Sequence, residues 1–178
     1  MPVNAPESLV EERRRLGIDA QDERWQGEWH FVNPPKRWHA RLNADLLLVL
    51  APLARRRGLD PYGDSTGIFA DVDSDWRVPD QAYATPDQGI DEGLTSAALV
   101  VELRSPGDES YTKLPFYADR GVGEVLVVHE DRRFELYRLR ADRYEPADDG
   151  MSAVLSITFE TVDGPRLRIK WDGGSAEV

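Results

Sequence analysis

Cysteine is absent from the 178 residues, which excludes disulfide staples, CxxC redox chemistry and thiolate zinc sites together. Long apolar runs are missing too. The longest candidate, Leu46-Leu47-Leu48-Val49-Leu50-Ala51, falls far short of the roughly 18 residues of a membrane span and reads as a core helix segment. No basic-then-apolar leader opens the sequence, so a cytoplasmic location without membrane association is expected. No GxGxxG fingerprint and no P-loop occur, which removes the nucleotide sites built on those loops. Positive charge is also scarce: 22 Lys and Arg stand against 33 Asp and Glu, a net charge of −11. That sign opposes general nucleic-acid binding, whose affinity comes largely from phosphate neutralisation. It still suits an enzyme that gathers carboxylates around a divalent cation.

With 40% hydrophobic and 31% charged residues, the chain can bury the core of one compact domain. A short helix is expected over residues 7–16, closed by Gly17 with Arg13, Arg14 and Arg15 in its last turn. Trp25, Trp29 and Phe31 suggest a strand or hairpin turned at Gln26-Gly27. Asn33 before Pro34-Pro35 reads as an N-cap. Trp38, Leu42, Leu46, Val49, Leu50 and Leu53 then recur at helical spacing over residues 36–57, with Gly58 as the stop and Pro52 as a kink or shortening point. Beyond that the period changes. Gly67-Ile68-Phe69 and Trp76-Arg77-Val78 read as short strands, and residues 97–104 as a central one. A turn at residues 105–108 leads to a helix over 109–120 stopped by Gly121. Strands follow at 124–129 and 134–139, and two more near 154–160 and 166–171 form a hairpin at Asp163-Gly164. The order predicts an α/β core with antiparallel additions. Residues 1–24 form a helical extension, 25–171 the domain, and 172–178 a frayed tail.

The informative constellation is Pro79-Asp80, then 21 intervening residues, then Glu102-Leu103-Arg104. Alternation along a strand puts Glu102 and Arg104 on one face and Leu103 on the other. Charges buried there need partners, either each other or a metal held by Asp80 and Glu102. A helix returning after the turn would bring Lys113 towards Glu102. Two carboxylates and an ammonium around one divalent ion form a phosphodiester-cleaving site.

Three segments carry a resemblance: Trp76-Arg77-Val78-Pro79-Asp80, Leu99-Val100-Val101-Glu102-Leu103-Arg104-Ser105-Pro106-Gly107-Asp108, and Lys113-Leu114-Pro115-Phe116-Tyr117-Ala118-Asp119-Arg120-Gly121-Val122. Gly27-Glu28, Pro34-Pro35, His39 and the strands at 124–128 and 134–139 extend it. In that order they resemble the Uma2 family (the DUF820 group), restriction-endonuclease-like proteins of the PD-(D/E)xK nuclease superfamily. The resemblance implies a restriction-endonuclease-like fold, a central mixed sheet flanked by helices. It implies Asp80 and Glu102 as ligands of Mg²⁺ (or Mn²⁺), with the Leu103 carbonyl completing the inner shell. It also implies DNA as substrate and a homodimer. The superfamily's lysine usually follows the second acid by two residues. Arg104 stands there instead and, being always protonated, would steady the scissile phosphate. Lys113 matches the family's lysine on the following helix, where it would position the attacking water. Glu28 and His39 match family positions at the site's edge.

Plainer readings compete. Glu102 and Arg104 could form a structural pair, and Glu28 could cap a hairpin or pair with Lys36. His30 and His129 look structural, and Trp25, Trp29 and Trp38 look like core. Asp71, Asp73 and Asp75 open like a calcium loop but lack its later glycine and glutamate, so solvated loop charge is the better reading. At the level of the whole protein, the alternatives are a nuclease-fold protein that only binds a protein partner and, last, an acidic-pair glycosidase.

Overall fold

The structure, a computed structural model, describes residues 2, 3, 5–105, 107 and 109–178. Three helices, α1 (Glu7–Leu16), α2 (Arg37–Arg55) and α3 (Leu114–Asp119), accompany three sheets. The central sheet has six strands in the order Arg143–Pro146, Phe134–Arg140, Glu124–His129, Leu99–Arg104, Gln81–Ala84, Asp60–Tyr62. Leu99–Arg104 and Glu124–His129 pair in parallel and the other pairings are antiparallel, so the sheet is mixed, as expected.

Both central strands are buried on both faces, which is why they read as unbroken apolar runs. Leu99, Val101 and Leu103 pack with Leu42, Leu46 and Leu50 of α2 and with Phe159, Leu167 and Ile169 of the C-terminal sheet. Val100 turns the other way, to Phe116 and Tyr117 of α3. Glu102 shares that second direction, and so the pleat delivers one carboxylate into an otherwise apolar layer.

Several boundaries differ from expectation. Asn33 is not the N-cap of α2: residues 31–36 are irregular and Lys36 takes that place without a side-chain cap. Pro52 lies inside α2 without ending it, and is exposed there. The helix predicted over 109–120 divides into a 3₁₀ turn, Ser110–Lys113, and α3, with Pro115 near the α3 start where its missing N–H costs nothing. Of the turn before it, Pro106 and Asp108 lie outside the described residues. The tail is not frayed. Gly174–Glu177 pairs with Arg166–Trp171, and Val178 exchanges two backbone hydrogen bonds with Leu167.

The boundary drawn at 24/25 also fails, because it cuts the strand Glu23–Trp25. That strand pairs with Glu28–His30 around Gln26 and Gly27, both at positive φ (49° and 94°), the backbone of a tight type I′ hairpin. The hairpin joins Asp75–Arg77 in a seven-stranded sheet. Arg77 fastens this sheet to α3, its guanidinium lying 4.3 Å from the Trp25 ring centroid and 4.2 Å from that of Phe116.

Glu124 fastens the C-terminal sheet in turn. It is buried and accepts hydrogen bonds from Ser152 Oγ (2.5 Å), the Ala153 N–H (2.8 Å) and Arg138 Nε (3.3 Å). Glu124→Ala orphans three donors and should lower unfolding free energy by about 3 kcal/mol. Urea denaturation checks this, and an unchanged midpoint contradicts it.

Candidate active site

Lys113 is carried over Glu102 by the 3₁₀ turn, and Tyr117 follows one helical turn later on the same side. Both reach the carboxylate. Lys113 Nζ lies 3.3 Å from each Glu102 oxygen, and Tyr117 OH donates to Oε1 at 2.5 Å. A third acid completes the arrangement: Glu23 Oε1 sits 2.8 Å from Lys113 Nζ. Glu23 is itself held by Trp25 Nε1 (2.7 Å) and the Val78 N–H (2.9 Å), and Lys113 also donates to the Val78 carbonyl. Only 2% of Glu23 and 3% of Glu102 is exposed, so two carboxyl groups sit out of water around one ammonium.

Asp80 lies just beyond Val78 and Pro79, half-buried. Its Oδ2 accepts the Leu103 N–H at 2.6 Å, which ties it to the strand residue beside Glu102. Its Oδ1 lies 3.3 Å from His39 Nε2. All five residues (Glu23, His39, Asp80, Glu102 and Lys113) line one cleft of about 450 Å³.

The electrostatics record crowding by negative charge. Burial pushes the Glu102 carboxyl up to about 8; Lys113 opposes this, while Asp80 and Glu23 add to it. Burial alone would depress Lys113, but Glu102, Glu23 and Asp80 reverse it and hold the ammonium well above its usual range. Burial and the Glu102 charge raise Tyr117 far above a normal phenol, so it remains a donor. Burial would lower His39, yet Asp80 outweighs it and the imidazole titrates higher than usual. Three carboxylates thus face one lysine in a partly closed cleft.

Of the residues singled out in the sequence, Asp80, Glu102, Lys113 and His39 come together. Arg104 faces elsewhere, its guanidinium 4.8 Å from the Tyr111 ring centroid, and Glu102 takes Lys113 and Tyr117 as partners. Glu28 is exposed at the turn end of the hairpin. It pairs with Trp25 whereas Glu23 pairs with His30, so the two acids stand two residues, about 7 Å, apart along the ladder. Glu23 takes the place expected of Glu28. Its signal was present, since Glu23 must face the same way as the inward Trp25 two residues on.

The remaining histidines are occupied in structural contacts. His30 stacks on Trp25 at 3.9 Å and meets Glu109 at 2.9 Å, and His129 meets Glu135 at 2.8 Å. Asp71 closes its own loop on the Asp73 N–H and Ser74 Oγ, consistent with solvated loop charge.

The model of the Uma2 family, described as "Putative restriction endonuclease", matches residues 11–163. The chain belongs to the Uma2 family. A solved structure from Anabaena variabilis, titled a putative nuclease belonging to DUF820, is similar at a TM-score of 0.57 and 12% identity, covering 74% of this chain and 78% of that one. That likeness shows the fold, a restriction-endonuclease-like one. No curated protein matches.

The raised carboxyl sets a sign for stability against pH. Glu102 binds its proton more tightly folded (about 8) than unfolded (4.5), so this stabilisation is complete at low pH and lost as pH rises through 8. His39, also raised, acts in the same direction. Metal-free protein should lose up to about 5 kcal/mol between pH 5 and 9. Glu102→Gln should flatten most of that slope in urea titrations; an unchanged slope contradicts it.

Proposed function

We propose that this Uma2 protein is a Mg²⁺-dependent endonuclease that hydrolyses phosphodiester bonds in DNA. The observation that carries the reading is the convergence of Asp80, Glu102 and Lys113 in one cleft, from the bend before Gln81–Ala84, the central strand and the 3₁₀ turn that leads into α3.

The donor chemistry fits a hard dication. Asp80 and Glu102 offer carboxylate oxygens and Leu103 a backbone carbonyl, all of the type magnesium prefers. Among the described residues, no three His, Asp or Glu side chains gather as a ready cluster, so in this reading water would complete the ion's shell. The excess of negative charge in the cleft is the electrostatic complement of such an ion. Bound there, magnesium would supply Lewis acidity, making water a better nucleophile and offsetting phosphate charge.

The chain's own groups supply the rest. Lys113, fixed on two sides by Glu23 and Glu102, presents a permanent ammonium to the attacking water and to charge developing on the phosphate. Glu23 positions that ammonium. Tyr117 fixes the rotamer of Glu102 through a single hydrogen bond. His39 orients Asp80. Arg104 places its guanidinium over the Tyr111 ring, and the reading gives it no step in the chemistry.

Calorimetric titration with Mn²⁺ should show binding that Asp80→Asn and Glu102→Gln abolish and Glu28→Ala leaves intact. With supercoiled plasmid and Mn²⁺ the parent should nick, and Lys113→Met should be slower by about 100-fold or more. Nicking that survives Glu102→Gln, or metal binding indifferent to both acids, contradicts the assignment. Absence of nicking at every metal concentration would favour the alternative, a nuclease-fold protein that acts by binding.

A further inference from the structure

An acidic nuclease must still hold a polyanion, and the structure gathers basic charge beside the cleft. A second open groove, about 510 Å³, is lined by Arg37, Arg41, Arg132 and Arg166, with Trp38, Asp45 and the last residue, Val178. In a chain of net charge −11, four guanidinium groups against Asp45 and the terminal carboxylate are a local reversal of sign.

The groove adjoins the cleft across the first turns of α2. Lys36 and His39 line the cleft, while Arg37, Trp38 and Arg41 line the groove. Arg37 and Arg41 are one turn apart and both exposed. The two depressions are therefore separated by about one helix diameter, 10–12 Å. One strand of duplex DNA advances about 3.4 Å along the axis per nucleotide, so that separation corresponds to about three nucleotides.

The existing partners of these arginines are weak competitors. Arg41 lies 3.5 Å from Asp45 with 75% of its side chain exposed, and Arg166 pairs with Glu177 at the surface. Exposed pairs of this kind contribute only about 0–1 kcal/mol and yield readily to a phosphate. Arg132 is anchored by donating to the Glu130 carbonyl (2.7 Å), which holds its stem in place.

We infer that the groove of Arg37, Arg41, Arg132 and Arg166 is a docking track for the phosphate backbone of duplex DNA, flanking the cleft on the far side of α2. The inference rests on the proposed DNA substrate and adds where the chain grips it. Phosphates a few nucleotides from the scissile bond seat in the groove, while the bond itself enters the acidic cleft.

The test is fluorescence anisotropy of full-length protein on a labelled mixed-sequence duplex in EDTA across a salt series, run beside plasmid nicking in Mn²⁺. Arg37→Gln/Arg41→Gln should weaken duplex binding roughly 10-fold or more and make the slope of log K against log salt shallower by about two. In nicking it should raise KM far more than it lowers kcat. Arg56→Gln/Arg57→Gln, the same charge change at the opposite end of α2, should bind like the parent, and thermal melting should show both variants folded. Arg166→Gln alone should reproduce a smaller loss of the same kind.

Duplex binding with unchanged affinity and slope in the groove variants overturns the inference even if plasmid nicking stands. Equal losses in the Arg56/Arg57 control overturn it as well, since they reduce it to net charge. Loss of binding in the groove variants alone supports it even if no nicking is seen, in which case the proposed hydrolysis fails and the docking track remains. A parent that binds polyglutamate but no duplex overturns it in favour of an acidic protein partner.

Discussion

One ammonium organises the centre of this molecule. Lys113 Nζ neutralises two buried carboxylates contributed by parts of the chain that are remote in sequence, Glu23 from the N-terminal hairpin and Glu102 from the central strand. Removing one partner of a buried ion pair costs about 3–5 kcal/mol, because the remaining charge is stranded in a poor solvent. The hairpin, the central sheet and α3 are thus obliged to meet at one point. The Arg77 guanidinium, between Trp25 and Phe116, closes the same junction from its apolar side.

The same arrangement leaves the cleft under-neutralised. With Asp80 at its mouth, three acids share one lysine, and the effect is visible in groups that titrate higher than usual. The third carboxylate, Asp80, stays half-open to solvent while tied to the Leu103 N–H and to His39; in the proposed reading that opening is where the dication enters. The surface repeats the division of labour with the opposite sign: acids gather in the cleft, and arginines gather across α2.

Much of this was legible in the sequence where local periodicity and local chemistry agree. The central strand was readable because residues 99–104 are apolar on both faces apart from Glu102 and the terminal Arg104, and the pleat then fixes which way that acid points. Lys113 was readable because a strand, a turn and a helix in succession return the chain over the strand. Glu23 was legible only in its direction, shared with Trp25; its place in the site depends on a hairpin joining a second sheet at Asp75–Arg77, a pairing far apart in sequence. Tyr117 was overlooked although it stands four residues after Lys113. Arg104 was drawn into the site by alternation and by standing where the superfamily's lysine usually falls. Its strand position is on the right face, yet the longer side chain lies over Tyr111 beyond the acids. The C-terminal strand escaped notice because Gly174–Glu177 has no apolar alternation and is held by backbone pairing and by Glu177 with Arg166 and Arg168.

The most direct measurement is an anomalous-scattering map from a crystal of the protein soaked in manganese. The account predicts a peak between Asp80 and Glu102, about 2.0–2.3 Å from a carboxylate oxygen of each, with Lys113 still held by Glu23. A cleft without a peak, with Lys113 still clamped between Glu23 and Glu102 while manganese appears elsewhere, would contradict it.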